Sequence, residues 1–243
     1  MDPMTALAAS GLRARMESLD LLANNIANAS TGGYKADREF YSLYVAPEAA
    51  DDDSAATMPV IERQWIDLSQ GSVHATGNSL DLALDGSGFF KVQGPDGPLY
   101  TRNGSFHLSA NGTLMASDGY SAQSVGGTKL TVDASQPVQI SGNGDVRQGT
   151  TVVGQLAIVN FADSAALVKR GSNYFVADPA AKSTVPAGTS VAQGQLEDSN
   201  SGMAEGAVRL VAVMRQFEMM QKAVLIGNDM SKQAIEQVAK VGL

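Results

Sequence analysis

Apolar residues recur every seven positions at both ends of the chain. Near the C-terminus, Leu210, Phe217, Val224, Ser231 and Val238 stand seven apart, and Val213, Met220, Gly227, Ala234 and Val241 follow each by three. Eight of these ten positions are apolar, the a/d pattern of a helix that packs along one stripe. Near the N-terminus Leu12, Leu19 and Ile26 repeat at seven, with Met16 and Ala23 four beyond the first two. No proline interrupts either stretch. The pattern predicts helices over residues 4–28 and 204–241, roughly 37 and 57 Å long. The first is rich in Ala, the best helix former, and stops before Ser30-Thr31-Gly32-Gly33, where glycine suits a C-terminal cap. Asn200 or Ser201 is a plausible N-cap for the second, with Glu205 at the positive end of its dipole. Gly227, a gap in the seam, reads as a bend or a close crossing.

Between the helices the period falls to two. Asp96-Gly97, Asn103-Gly104, Asn111-Gly112 and Asp118-Gly119 follow one another at seven or eight residues, and Asn143-Gly144 adds another turn. Such dipeptides take the positive φ that tight hairpins need. The intervening runs, among them Phe89-Phe90-Lys91-Val92-Gln93 and Ser105-Phe106-His107-Leu108, are short strands of a meander. Further strands are expected at 129–132, 137–140, 154–161 and 173–177. Short strands without intervening helices make a sandwich or an open barrel.

The fold class is therefore α+β: a mainly-β central domain of short antiparallel strands, with long N- and C-terminal helices pairing as a coiled-coil-like layer. Residues 1–33 and 201–243 form the helical part and 76–200 the β domain. Residues 34–75 are an extended connecting segment, anchored by Tyr34, Phe40, Tyr41 and Tyr44. Asp51-Asp52-Asp53 within it lack the alternate spacing, mid-loop glycine and distal glutamate of a calcium loop, and read as a solvated turn.

With 44% hydrophobic residues the 243-residue chain can bury a core. Its net charge of -8 disfavours nucleic acid and anionic membrane surfaces. The absence of cysteine removes disulfides, thiol catalysis and cysteine-ligated metals. The first twenty residues carry Asp2, Arg13, Arg15, Glu17 and Asp20 and do not read as a cleavable signal. No run approaches the ~20 apolar residues of a membrane span.

Candidate chemistry is sparse. The two histidines, His74 and His107, sit without a metal or nucleophile motif, and His107 alternates with Phe106 and Leu108 on the exposed face of a strand. Asp85-Gly86-Ser87-Gly88 contains G-x-G, but Phe89-Phe90 follows and no helix opens there, so it is a turn delivering two aromatics to a strand. No catalytic residue, cofactor or metal site is predicted. A β-rich enzyme with helical extensions and a surface fibre or adhesin are the rival readings.

Three blocks then resemble the bacterial flagellar rod proteins, a family that also includes hook proteins. The first is Leu22-Ala23-Asn24-Asn25-Ile26-Ala27-Asn28-Ala29-Ser30-Thr31-Gly32-Gly33-Tyr34-Lys35. The second runs from Gly77 to Phe90 and on through Tyr100-Thr101-Arg102-Asn103-Gly104-Ser105-Phe106. The third is Gln195-Leu196-Glu197-Asp198-Ser199-Asn200 followed by Arg215-Gln216-Phe217-Glu218. Ser201-Gly202 departs from the apolar residue usual after the Ser-Asn pair. Hook proteins resemble the ends but carry outer β domains for which there is no room here. Arg215–Glu218 leans to the proximal rod type over the distal type, with a distal rod or hook-type subunit as the alternative. The resemblance implies a structural subunit, exported without a cleavable signal, that assembles helically with copies of itself and with other rod and hook subunits. It implies contact with the export apparatus and a place in the basal-body rod. The expected assembly interface is Leu12, Leu19, Asn24, Asn25, Ile26, Asn28, Tyr34, Leu196, Asn200, Leu210, Val213, Phe217, Met220 and Val224. The leucines and Ile26 would pack against Leu210, Phe217 and Val224, and the asparagines would satisfy polar groups at the helix end and in the adjoining loop.

Overall fold

The computed structural model describes residues 3–45 and 57–241, which form two compact units. One holds Met1–Ala27, Asp37–Trp65 and Met203–Leu243; the other holds Asn28–Ala36 and Ile66–Gly202. The segment read as a connector is thus shared between the two. The Asp51-Asp52-Asp53 turn lies outside the described residues.

In the first unit, helix α1 (Pro3–Ala27) packs against helix α2 (Met203–Val241). Both fall within a residue of the limits that apolar periodicity predicts. α2 runs unbroken through Gly227, where an added Cβ would meet nothing within 4 Å, so this glycine is not a close crossing within the chain. Strands β1 (Asp37–Val45) and β2 (Thr57–Ile66) make a two-stranded sheet, and β1 packs on α1. Much of the segment expected to be an extended connector is thus a pair of strands.

The second unit is built from short strands. Its first half comprises β3 (Val73–Ala75), β4 (Leu82–Asp85), β5 (Phe89–Gly94), β6 (Gly97–Thr101), β7 (Phe106–Leu108), β8 (Leu114–Ala116) and β9 (Ser121–Ala122). The second half adds β10 (Val138–Ile140), β11 (Asp145–Gln148), β12 (Thr151–Gln155), β13 (Ile158–Phe161), β14 (Leu167–Arg170), β15 (Tyr174–Ala177), β16 (Ser183–Thr184), β17 (Ser190–Gln193) and β18 (Gln195–Glu197). The largest sheet runs β14-β15-β6-β5-β9-β8-β7, with β13 on β5 and β16 on β13. Smaller sheets are β10-β11-β12, β17-β4 and β18-β3. The sheets are open and their pairings antiparallel. The expected strand at 129–132 contributes only single bridges, Thr113 to Thr131 and Gln123 to Lys129.

Strand β5 divides the core. Phe90 lies in the larger cluster with Leu82, Leu84, Leu99, Phe106 and Leu114. Phe89, one residue earlier and hence on the other face, joins Tyr100, Phe161, Leu167 and Phe175. The rings interlock, Phe90 edge-on to Phe106 at 5.4 Å and Phe89 tilted against Phe175 at 5.3 Å. Gly97, Gly112, Gly119 and Gly144 take positive φ as their turn dipeptides require. Asn103-Gly104 differs. Gly104 is needed because the Leu82 carbonyl oxygen would lie 1.6 Å from any Cβ there, and Leu82 donates its amide to the Gly104 carbonyl at 3.0 Å.

Candidate functional site

The seam of α2 follows the heptad. Leu210, Phe217, Met220, Val224 and Gly227 are partly buried, Val213 is fully buried, and the positions between them are exposed. Gly206 continues the line one turn earlier, close enough to Ile26 of α1 that a Cβ would approach its Cγ1 to 2.9 Å. Nothing is described of the side chains at Ser231, Ala234, Val238 and Val241.

The stripe of α1 is rotated from the one expected. Leu12, Leu19 and Ile26 are only partly buried, and Met16 and Ala23 are exposed. The most buried line is Gly11, Ala14, Ser18, Leu22 and Asn25. Two of its polar members, Ser18 and Asn25, bond to β1. Asn25 donates to the Asp37 carbonyl at 2.8 Å and accepts from the Asp37 amide at 2.9 Å, as a neighbouring strand would. Ser18 donates to Glu39 Oε1 at 2.6 Å, and Arg209 of α2 reaches the same oxygen at 3.4 Å. Of the other asparagines, Asn24 is exposed, while the Asn28 carbonyl accepts from the Thr31 amide at 3.0 Å.

In the second unit the remaining predicted residues gather around a charge cluster that pattern reading missed. Lys35, Arg102 and Glu197 have side chains 0, 3 and 0% exposed. Lys35 Nζ donates to Glu197 Oε1 at 2.5 Å and to the Ser69 carbonyl at 2.6 Å. Arg102 donates to Glu197 Oε2 at 3.3 Å, to the Leu84 carbonyl at 3.4 Å and to the Gly86 carbonyl at 2.6 Å, with its guanidinium 5.8 Å above the Phe89 ring. The Gly71 amide completes the shell of Glu197 at 3.0 Å. Burial pulls the pKa of Lys35 and of Arg102 below the ordinary values, and the Glu197 carboxylate opposes it in both. Ions taken so far from water persist only where geometry and extra hydrogen bonds offset desolvation.

Tyr34 and Asn200 frame this cluster. Tyr34 is buried, with Lys169 Nζ 4.3 Å from its ring centre, and its carbonyl accepts from the Asn200 amide at 3.2 Å. The Asn200 side chain accepts from the Ala36 amide at 2.7 Å and donates to the Asp67 carbonyl at 2.7 Å. It does not cap a helix as expected, because the loop has taken its bonding capacity. Leu196, opposite His74 in the β18–β3 pair, is partly buried. Gly33 takes a φ of 67°, and a Cβ on it would lie 2.3 Å from the Asn103 backbone nitrogen. The three sequence blocks thus converge in space, each giving one ion to the cluster.

Family models match in the same three places. One described as "Flagella basal body rod protein" covers residues 7–35, one described as "Flagellar hook protein FlgE/F/G D1 domain" covers 83–148, and one described as "Flagellar basal body rod FlgEFG protein C-terminal" covers 192–237. The "Flagellar basal-body rod protein FlgG" of Agrobacterium fabrum is 33% identical over 93% of this chain and 95% of its own length. The protein of that name from Bacillus subtilis is 32% identical over 93 and 95%. The "Flagellar basal-body rod protein FlgF" of Caulobacter vibrioides is 30% identical over 92% of each. Relatives of both names are therefore matched nearly end to end at similar identity.

Proposed function

Because the chain belongs to the family of flagellar basal-body rod proteins, we propose that it is a structural subunit that self-assembles helically into the drive shaft carrying torque to the hook. One observation supports this above the rest. Outside its seam, α2 exposes Val208, Val211, Met214, Met219, Leu225 and Ile226, with Val208 at 73% and Ile226 at 61%. These six large apolar side chains, interspersed with Arg215, Glu218 and Lys222, are left uncovered by the pairing with α1. A helical assembly needs heterologous contacts, in which one surface meets a different surface on the next copy. The seam of α2 faces α1, and its opposite side is left for neighbours.

In this reading the partners are copies of the chain, other rod and hook subunits, and the export apparatus, and the subunit builds the periplasm-spanning rod. Leu12, Leu19, Ile26, Leu210, Val213, Phe217, Met220 and Val224 form the paired-helix layer. Asn24, Asn25 and Asn28 serve polar groups at the helix end and in the adjoining loop, and Tyr34, Leu196 and Asn200 complete the proposed assembly interface. The subunit works by packing, with no catalytic step and no cofactor. A membrane-inserted role has no support, since no described helix is long and apolar enough to cross a bilayer. Near-complete coverage of rod relatives favours a rod subunit over a hook type with further outer domains.

The chain has no cysteine, so Ile226→Cys introduces a single thiol. A maleimide reagent should label it rapidly in the free subunit and be excluded in isolated basal bodies. Equal labelling in both would refute the interface.

A further inference from the structure

The second unit consists of two pieces of chain, Asn28–Ala36 and Ile66–Gly202, and three of their four ends meet around Glu197. Its side chain holds Lys35 from the first piece and the Gly71 amide from the start of the second. Its carbonyl accepts from the Gly33 amide at 2.8 Å. One residue later the Asp198 amide donates to the Ser72 carbonyl at 2.8 Å, and Asn200 bonds Tyr34, Ala36, Asp67 and Ser69. These bonds cross sequence separations of 126 to 166 residues.

Both buried cations pair with this one carboxylate. Before residue 197 arrives, Lys35 has only the weaker attraction of Asp67 and the Ser69 carbonyl, and Arg102 only carbonyl oxygens and the Phe89 ring. Seating residues 31–36 first would bury an ammonium without its principal counter-charge, a costly step. Seating 195–200 first would leave the carboxylate with Arg102 but without Lys35, and the Glu197 carbonyl and Asn200 side chain without the Gly33 and Ala36 amides. The segments gain most by closing together.

We infer that Glu197 closes a two-ended clasp, so that residues 31–36, 67–72 and 195–200 seat and release as one cooperative unit distinct from the sheet core. The clasp makes completion of the β unit conditional on a segment 162 residues beyond Lys35. A partly made or partly threaded chain keeps the root of this unit open, however well its central strands are able to pair.

Hydrogen exchange on the full-length protein tests this. In the unaltered chain the amides of Gly33, Gly71, Asp198 and Asn200 should share one opening reaction, faster than that of the core amides of Lys91, Leu114 and Val132. Glu197→Gln keeps the shape and removes the charge. It should speed exchange of all four amides by roughly tenfold or more while the core amides change far less. Asn200→Ala attacks the clasp with its ions intact, and should release the same four amides even if Glu197→Gln fails to fold. The inference is overturned if either folded variant frees only the amides bonded to the altered residue, or if the core amides accelerate equally.

Discussion

Lys35 and Glu197 stand 162 residues apart in the chain and meet at 2.5 Å with neither side chain exposed. Arg102 approaches the other oxygen of the same carboxylate, 3.3 Å away. The carboxylate thus counters two cations, and its loss leaves more uncompensated charge than the loss of either partner.

That asymmetry sets an order of stabilities. Glu197→Ala should lower the unfolding free energy by about 3–5 kcal/mol, the range for a broken buried pair. Lys35→Met should cost less, since Arg102 still neutralises the carboxylate. In the Lys35→Met/Glu197→Ala double variant the loss should fall below the sum of the two single changes, because one of the two stranded cations is gone. Urea denaturation of the three variants measures this; strict additivity would show that the ions do not act as a cluster.

Much of the fold was legible, for identifiable reasons. A heptad survives any tertiary context that buries one helix face, so the α2 seam at Leu210, Val213, Phe217, Met220 and Val224 was readable. The α1 stripe misled because Gly11, Ala14, Ser18 and Asn25 are buried for their small size and hydrogen bonds, properties a count of apolar residues passes over. The turn at Asn103-Gly104 misled because close approach to Leu82, rather than a positive φ, requires that glycine. The ion cluster gave no local signal. Lys, Arg and Glu ordinarily mark solvated surface, and separations of 95 and 162 residues hide the pairing. All three lie within the recognisable blocks, the one sequence feature they share.

Asn25 gives a second test. It bonds both polar groups of Asp37 as a strand neighbour would. Asn25→Ala strands a donor and an acceptor and should destabilise by about 1–3 kcal/mol. Asn25→Asp should be no milder, because a carboxylate can accept from the Asp37 amide but repels its carbonyl. Thermal unfolding of both variants measures the effect, and a neutral Asn25→Ala would mean that water replaces the side chain without loss.

Asp133 predicts a pH dependence. Ser135 donates to it through Oγ at 2.7 Å and through its amide at 2.9 Å, and Gln136 donates to its other oxygen at 3.0 Å. These bonds, the Ser135 hydroxyl foremost, hold its pKa below the ordinary 3.8. A carboxyl depressed in the folded state binds its proton more weakly there than in the unfolded chain. Its contribution is therefore present above pH 3.8 and is lost as pH falls through the lower folded value. Asp133→Asn should be less stable than the parent above that pH and converge with it in acid. Parallel stability profiles, measured by acid titration at fixed urea, would contradict this.

The two faces of α2 should separate folding from assembly. Phe217 is partly buried on the seam, so Phe217→Ala should destabilise the free subunit by about 1–3 kcal/mol, less than the 3–5 kcal/mol typical of a fully buried phenylalanine. Ile226 lies on the exposed side at 61%. Ile226→Asp removes no packing from the free subunit and should change its stability by about 0.5 kcal/mol or less. In an assembled rod the same aspartate would be carried into an apolar contact without a partner, which costs several kcal/mol for an ion. Calorimetry of the purified variants and motility of cells expressing each as the sole copy give the two readouts. Ile226→Asp should melt like the parent and fail to build rods, whereas Phe217→Ala should lose stability as well as assembly. Normal swimming with Ile226→Asp would show that the exposed face of α2 remains in water after assembly, and the contact between copies would have to be sought elsewhere.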